Sequence, residues 1–314
     1  MSTKKRKIDV PKHIDDKSLV TLKEMGNICE VMISDSKNVG ATILPLSKEE
    51  YVLLSTGEVK SFENHATNRV ENIRNLEKSM KALQDLINAN ISPENIKYCR
   101  FITLTYKDNI RNPDLLYQDF KNFNKRFKRY IEKTENSYEY IVTVEAQGRG
   151  AFHLHCIYIF EEIPPFIENS TLAEIWEKGF VSIKALKGNI DNIGKYLTAY
   201  LSDLPVNDTE FDISLINGKV KEANTKRYIK NARLKLLPQG IRIYRYSKGI
   251  KRPVKTTTTY GEALTTLKKD GYTKTNEYAV EIVDDTRDFK TKYIKQTYKK
   301  YKRKPIKKRD DKND

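Results

Sequence analysis

The residues from Phe152 to Phe160 form an apolar run that contains two histidines one residue apart, His153 and His155. A short apolar run rich in aromatic and β-branched residues predicts a β-strand. Residues i and i+2 of a strand point to the same face of its sheet, so both imidazoles should stand side by side on one surface. Neutral imidazole nitrogens in that arrangement can share a metal ion. A His-x-His pair by itself is more often two half-buried strand histidines, so the rest of the chain has to distinguish the two interpretations.

The charge of the chain indicates a polyanionic partner. The 314 residues include 58 Lys and Arg against 42 Asp and Glu, which gives a formal net charge of +16. Nucleic acid suits such an excess best. A membrane surface is disfavoured because no basic amphipathic helix with a bulky apolar face is present in the sequence. The remaining alternative is a basic surface that serves solubility alone.

Other features of the sequence restrict the compartment and the class of protein. No apolar stretch has the length of a membrane span, and no apolar segment follows the basic start of the chain as in a secretory signal. The three cysteines, Cys29, Cys99 and Cys156, are far apart and odd in number. We therefore expect reduced thiols in a cytoplasmic protein. The phosphate-binding pattern GxxxxGK[ST] is absent, so an ATPase is not expected.

An acidic residue precedes the histidine strand at a distance that a hairpin would close. Strands over residues 138–146 and 151–160, joined by a turn at Gln147–Gly150, would place Glu145 opposite Phe152 or His153. In one of these two registers, a carboxylate and both imidazoles converge; in the other, Glu145 is an ordinary exposed strand acid. The converging set suits Mg²⁺ or Mn²⁺, tolerates Zn²⁺, Co²⁺ or Ni²⁺, and leaves coordination positions open.

Two tyrosines follow on a predicted helix over residues 190–203. Tyr196 and Tyr200 are four residues apart and therefore lie one turn apart on the same side, at the margin of a buried stripe. They either pack their rings at the edge of a core or direct two phenols at one site. A phenol ionises near pH 10 and is a poor nucleophile, but a nearby divalent cation would favour the phenolate.

Three motifs occur in a fixed order: the strand Phe101–Tyr106, the pair His153-Leu154-His155 and the helix segment Tyr196–Tyr200. In this order they resemble the motifs of HUH endonucleases. More narrowly, the chain is similar to the rolling-circle replication initiators of small bacterial plasmids, phages and integrative elements. The resemblance extends from about Asn27 to Pro253 and includes residues 240–249, a segment typical of such bacterial initiators.

The resemblance implies roles for individual residues. His153 and His155 match the metal-binding pair, and Glu145 matches the acidic ligand that some branches place on the preceding strand. Tyr196 and Tyr200 match the two-tyrosine helix, in which one tyrosine attacks DNA and the other acts in strand closure. Many relatives have Lys three residues after each tyrosine, where this chain has Ala199 and Asp203. The resemblance and the basic composition together give a set of expected DNA contacts: Thr103, Thr105, Lys195, Arg242, Arg245 and Lys248.

The implied activity is metal-assisted transesterification on single-stranded origin DNA. It yields a 5′-phosphotyrosine and a free 3′-hydroxyl that primes rolling-circle replication. The implied cofactor is a divalent metal ion, Mg²⁺ or Mn²⁺. A host helicase and a host DNA polymerase are the partners expected from the family, since the chain has no helicase of its own, and no membrane partner is expected.

The expected fold is α+β, a central antiparallel sheet with packed helices as in the ferredoxin-like palm of HUH endonucleases. Its strands are predicted at 99–106, 138–146, 151–160 and 180–186, and a basic helix at 225–237. The predicted organisation has four parts: a disordered basic N-terminus (1–18), N-terminal strands and a helix that pack on the catalytic domain (19–98), the HUH endonuclease domain (99–255), and a basic C-terminal extension (256–314), largely disordered from about 287 and adding sequence-independent DNA affinity.

Three other functions are compatible with parts of the pattern. A conjugative relaxase or a single-strand transposase would use the same chemistry at a different DNA site. A non-catalytic DNA- or RNA-binding protein could have the same histidines and tyrosines in its core. An iron oxygenase with two histidines and one carboxylate is disfavoured because His13 and His65, the other histidines, both lie upstream in poor contexts.

Overall fold

The computed structural model describes residues 4–35, 43–47, 49–61, 73–146, 152–186, 194, 197–198, 204–205, 220–223, 226–229, 237, 241–284 and 292–303. The chain divides into two compact units. An inner unit comprises Asn68–Pro253, and a terminal unit comprises Met1–Thr67 together with Val254–Asp314. The two ends of the chain therefore belong to one unit, and the middle of the chain forms the other.

The described elements alternate between strands and helices, which confirms the predicted α+β class. The α-helices in these residues are α1 (Ile73–Asn90), α2 (Pro113–Glu132), α3 (Asn169–Trp176) and α4 (Tyr260–Lys269). The strands are β1 (Lys4–Ile8), β2 (Leu19–Met25), β3 (Ile28–Ser34), β4 (Ile43–Pro45), β5 (Glu50–Leu53), β6 (Val59–Ser61), β7 (Cys99–Tyr106), β8 (Tyr138–Ala146), β9 (Phe152–Phe160), β10 (Gly179–Ala185), β11 (Leu204–Pro205), β12 (Val220–Ala223), β13 (Lys226–Ile229), β14 (Tyr244–Tyr246), β15 (Val254–Thr259), β16 (Tyr272–Asp284) and β17 (Lys292–Arg303). None of the helices in these residues combines the length and the apolar character that crossing a bilayer requires.

The terminal unit contains an antiparallel sheet in the order β1-β16-β17-β3-β2-β15. Helix α4 contributes Tyr260, Ala263 and Leu267 to the core of this unit, together with buried residues of β2, β3 and β17. A smaller sheet, β4-β5-β6, lies in the same unit. The structure differs from the predicted disorder of both chain ends, because Lys4–Ile8 and Lys292–Arg303 are strands of the larger sheet. Their lysines alternate with residues such as Tyr301, which is buried against this core, so the basic composition concealed a strand pattern.

The inner unit is built on a five-stranded antiparallel sheet in the order β10-β7-β9-β8-β14. Four of its strands, β7 to β10, match the predicted strands to within one or two residues. A small sheet, β11-β13-β12, is formed by residues 204–229. The predicted basic helix at 225–237 is contradicted at its start, because Lys226–Ile229 pairs with β12 and β11. The β-formers Tyr228 and Ile229 favour that pairing over a helix.

One face of the inner sheet is covered by α2 and α3. Helix α2 begins at Pro113 because the side chain of Asn112 accepts hydrogen bonds from the amides of Asp114 and Leu115. Its buried stripe recurs every three or four residues and consists of Leu116, Phe120, Phe123, Phe127 and Ile131. The stripe packs on Leu104, Leu154 and Cys156 of the sheet, together with Trp176 of α3. Cys156 is therefore a core residue, as predicted, and all three cysteines are buried free thiols.

The opposite face of the inner sheet carries His153 and His155 and is called the histidine face below. One end of it is apolar, since Phe101, Ile141 and Ile157 form a second core with helix α1 and Leu197. The other end bears the polar residues described in the next section. The helix α1 thus anchors the apolar end of this face and leaves the histidine end for chemistry.

Candidate functional site

The register between β8 and β9 brings an acid and two histidines together. Glu145 pairs with His153, and Thr143 pairs with His155. Directly paired residues of an antiparallel sheet project from the same face, so Glu145, His153 and His155 share the histidine face. This is the converging register of the two that the sequence left open. The alternative, with Glu145 opposite Phe152, does not occur, since Phe152 pairs with Ala146.

His155 has polar contacts at both ring nitrogens. Its Nε2 is in hydrogen-bond contact with the Glu145 carboxylate, and its Nδ1 lies 3.2 Å from Oγ1 of Thr103. Phe101 stacks on the ring with centroids 5.5 Å apart. Burial lowers the pKa of His155 from 6.5 to about 4, because the enclosed imidazolium loses its hydration. The imidazole is therefore neutral at physiological pH, which is the form that binds metals.

His153 lies beside His155 on the same strand. The centroids of the two rings are 6.3 Å apart and their planes meet at 62°. His153 pairs with Thr105 on one side and with Glu145 on the other. It is partly exposed, whereas His155 and Glu145 are each only 5% exposed. The pair therefore has one deep member and one member at the surface.

The donor types of this cluster fit a divalent cation, although its contacts are those of a hydrogen-bonded set. Two neutral imidazoles and one carboxylate are a mixed nitrogen and oxygen set suited to Mn²⁺ or Mg²⁺. Within the described ranges, no group of three His, Cys, Asp or Glu side chains already has the spacing of a metal site. The contact between His155 Nε2 and Glu145 engages two of the three donor groups with each other. A cation would have to replace that contact.

The predicted nucleophiles Tyr196 and Tyr200, and the predicted DNA contact Lys195, lie outside the described residues. Three of their neighbours are described as helical: Gly194, Leu197 and Thr198. The amide of Gly194 donates to Oδ1 of Asn88 on α1 over 2.9 Å, and a Cβ atom at Gly194 would collide with the carbonyl of Gln84.

Leu197 locates this part of the chain with respect to the sheet. It is 2% exposed and belongs to the core that Phe101 and Ile157 form on the histidine face. Ile157 follows His155 by two residues on β9 and therefore projects from the same face. The residues that separate the two predicted nucleophiles thus pack on the correct side of the sheet for the proposed site.

The predicted contacts Thr103 and Thr105 lie on β7, next to the histidines. Thr103 pairs with His155 and Thr105 pairs with His153. Both threonines therefore belong to the histidine face, as their predicted role requires. The hydroxyl of Thr103 is engaged with the His155 ring, a contact that the sequence did not indicate.

The three basic residues predicted near β14 have different positions. The amide of Val144 donates to the carbonyl of Ile243, so exposed Arg242 lies level with Glu145. Arg245 pairs with Val142, and its guanidinium lies 3.3 Å from the ring centroid of Tyr117 on α2, hence on the opposite face. Lys248 is exposed, and its neighbour Gly249 donates to the carboxylate of Glu139, near the far end of β8.

Two aromatic residues of the histidine face were not predicted as site residues. Phe180 pairs with Thr105 on the edge strand β10. Tyr244 pairs with Thr143, stacks on Tyr246 with centroids 6.3 Å apart, and has its pKa raised by burial. The alternation of sides along a strand assigns each residue to a face, but only the pairing of strands shows which residues share that face.

Comparisons with known proteins support this region of the chain as the functional one. Residues 99–204 match the family model for the replication-associated protein ORF2 and gene 2 protein group. This segment is similar to replication-associated proteins and contains strands β7 to β10, and thus the two histidines and Glu145. Neither the curated proteins nor the solved structures gave a match.

Proposed function

We propose that this protein initiates replication by nicking single-stranded origin DNA through tyrosine transesterification. The observation that supports the proposal most directly is the register of the inner sheet, which places Glu145, His153 and His155 on one face. The match of residues 99–204 to replication-associated proteins supports a role in replication. The basic composition supports a DNA substrate.

In the proposed reaction, the chain itself supplies the nucleophile. The phenolate oxygen of Tyr196 or Tyr200 attacks the scissile phosphorus, and an O–P bond forms while the bond from phosphorus to the 3′ oxygen breaks. The 3′ oxygen takes up a proton and leaves as a hydroxyl, and the 5′ phosphate remains on the tyrosine. The number of phosphoester bonds is unchanged, so the step needs no ATP and is reversible.

The cation-binding groups of the site would be His153, His155 and Glu145. A divalent ion, Mg²⁺ or Mn²⁺, would withdraw charge from the scissile phosphate and favour the phenolate. The neutral state of His155 at physiological pH keeps a lone pair available for this role. Thr103, through its contact with Nδ1, would hold the ring in one orientation.

The chemistry alone does not distinguish a replication initiator from a conjugative relaxase or a single-strand transposase. The match to replication-associated proteins favours the first of these. Mapping the cut site would separate them, since a replication initiator cuts beside a replication origin. We expect a host helicase to unwind the duplex and a host polymerase to extend the free 3′ end.

The test is mass spectrometry of covalent peptide–oligonucleotide adducts formed with single strands from the origin region and Mn²⁺. We expect a peptide containing Tyr196 or Tyr200 to carry the 5′ phosphate, and the double variant Tyr196→Phe/Tyr200→Phe to form no adduct. Tyr244→Phe is the matched control, since Tyr244 also lies on the histidine face but has a raised pKa. A wild-type protein that binds DNA but forms no adduct and no nick would leave a non-catalytic nucleic-acid-binding protein.

A further inference from the structure

Phe180 is an exposed aromatic residue in line with the candidate site. Strand β10 is the edge strand of the inner sheet, and Phe180 pairs with Thr105, which in turn pairs with His153. His153 pairs with Glu145. Phe180 therefore belongs to the same cross-strand row as the acid and the outer histidine. Two strand spacings, about 10 Å, separate its backbone from that of His153.

The exposure of Phe180 is not required by the packing of its strand. Val181 and Ile183 of β10 are partly buried and pack on the core beneath α2 and α3. Phe180 projects from the other face and is 70% exposed. A large exposed phenyl ring on a strand that already has its own buried side is a recurrent sign of a binding surface.

The neighbours of Phe180 leave its ring accessible and surround it with suitable charge. Thr105 and Ser182, the residues beside it on the histidine face, are small. Lys184 projects from the same side of β10 and is exposed. At the other end of the row, exposed Arg242 lies level with Glu145. An aromatic ring flanked by basic side chains suits a single strand of nucleic acid, whose bases stack while its phosphates are neutralised.

We propose that Phe180 is a stacking platform for an unpaired base next to the scissile phosphate, and that Lys184 contacts the backbone of the same strand. The proposal rests on the proposed function for the identity of that strand as the substrate. A base on Phe180 and a phosphate near Arg242 would hold the strand across the row that contains His153 and Glu145. Duplex DNA would not fit, because its bases are already stacked on each other.

The first test measures binding separately from chemistry. Fluorescence anisotropy in EDTA would follow a labelled oligothymidylate of about 20 nucleotides, with a duplex of the same length as the comparison probe. We expect Phe180→Ala to weaken single-strand binding about tenfold and Phe180→Trp to preserve it, since stacking on an aromatic ring is lost in one and kept in the other. Duplex binding should change less than twofold in either variant.

Phe166→Ala is the matched control, because Phe166 is 87% exposed and lies between β9 and α3, outside the row. It should bind both probes as the wild type does. The thermal midpoint of each variant, measured in the same buffer, would identify any loss of folding. An unchanged single-strand affinity in Phe180→Ala would overturn the inference.

The second test locates the base directly. An oligothymidylate substituted with 5-iodouracil, irradiated on the full-length protein in EDTA, should crosslink to a peptide that contains Phe180. Crosslinks confined to other peptides would contradict the proposal. Because neither readout needs metal or the tyrosines, these results are distinguishable from a failure of the nicking proposal, which would appear only as the absence of a phosphotyrosine adduct.

Discussion

The hydroxyl of Thr103 on β7 lies 3.2 Å from Nδ1 of His155 on β9, directly across the strand pair. A hydroxyl both donates and accepts hydrogen bonds. With the Nε2–H of His155 donating to Glu145, Thr103 donates to Nδ1. With a cation on Nε2, the ring proton moves to Nδ1, and Thr103 accepts from it. Thr103 can therefore satisfy His155 in both states.

Replacing Thr103 should weaken cation binding through the orientation of His155. We expect Thr103→Val, which keeps the shape but removes the hydroxyl, to lower the affinity for Mn²⁺ about tenfold. Thr103→Ser should restore most of it. Isothermal titration calorimetry would measure the affinity, and ¹⁵N NMR of the imidazole would report the tautomer. The matched control is Thr105→Val on the same strand face; an equal loss in that variant would argue against a specific role for Thr103.

Replacing Glu145 should separate cation binding from folding. In Glu145→Gln the side-chain carbonyl can still accept a hydrogen bond from His155, but the negative charge is absent. We expect the Mn²⁺ affinity and the nicking rate to fall at least about tenfold, and the thermal midpoint of the metal-free protein to remain close to the wild-type value. Calorimetry and a plasmid-nicking assay would measure the two effects. Wild-type affinity for Mn²⁺ in the variant would remove Glu145 from the proposed ligands.

Acid should destabilise the metal-free protein through His155. The unfolded chain binds a proton at this residue below about pH 6.5, whereas burial holds the pKa in the folded chain at about 4. Lowering the pH through this window therefore favours unfolding, by about 3 kcal/mol for the complete shift. Urea unfolding in EDTA at pH 7 and pH 4.5 would show the loss, which should be smaller in His155→Gln. His13→Gln, at an exposed position in the terminal unit, should retain the full dependence.

Gly194 should be needed for the nucleophile segment but not for the cation ligands. Its position permits close approach to α1, where a Cβ atom would collide with the carbonyl of Gln84 and the side chain of Asn88. We expect Gly194→Ala to reduce adduct formation at least about tenfold, since an atomic misplacement of about 1 Å has an effect of that order or larger. The Mn²⁺ affinity should change less than twofold. In Gly57→Ala of the terminal unit the added methyl group meets no atom within 4 Å, so neither readout should change.

The aromatic core beneath the sheet should account for much of the stability of the inner unit. Phe123 is fully buried, stacks on Phe127 with centroids 5.5 Å apart and meets Trp176 at 5.7 Å. Phe123→Ala should lower the free energy of unfolding by about 3–5 kcal/mol. Trp176 is the only tryptophan of the chain, so its fluorescence during urea unfolding reports this unit. Exposed Phe166→Ala should change that free energy by less than about 0.5 kcal/mol.

The local patterns of the sequence were sufficient for the strands and helices around the site. The apolar runs at Cys99–Tyr106 and Phe152–Phe160 could only form strands of a buried sheet, and the spacing of Phe120, Phe123 and Phe127 could only form one helix face. The two imidazoles had to share a face because the side-chain period of a strand is two. These conclusions depend on neighbours within a few residues, which the sequence contains.

The tertiary structure decided everything that depends on which strands pair. The register of β8 on β9 selected Glu145 opposite His153 over the alternative one residue away, and the order of strands placed Thr103 at His155 and Phe180 in the same row. The ends of the chain looked disordered because their composition is basic, yet they form strands of one sheet with β3, far away in sequence. Pairing energies between distant segments are not visible in local composition, because each partner alone has the pattern of a solvated segment.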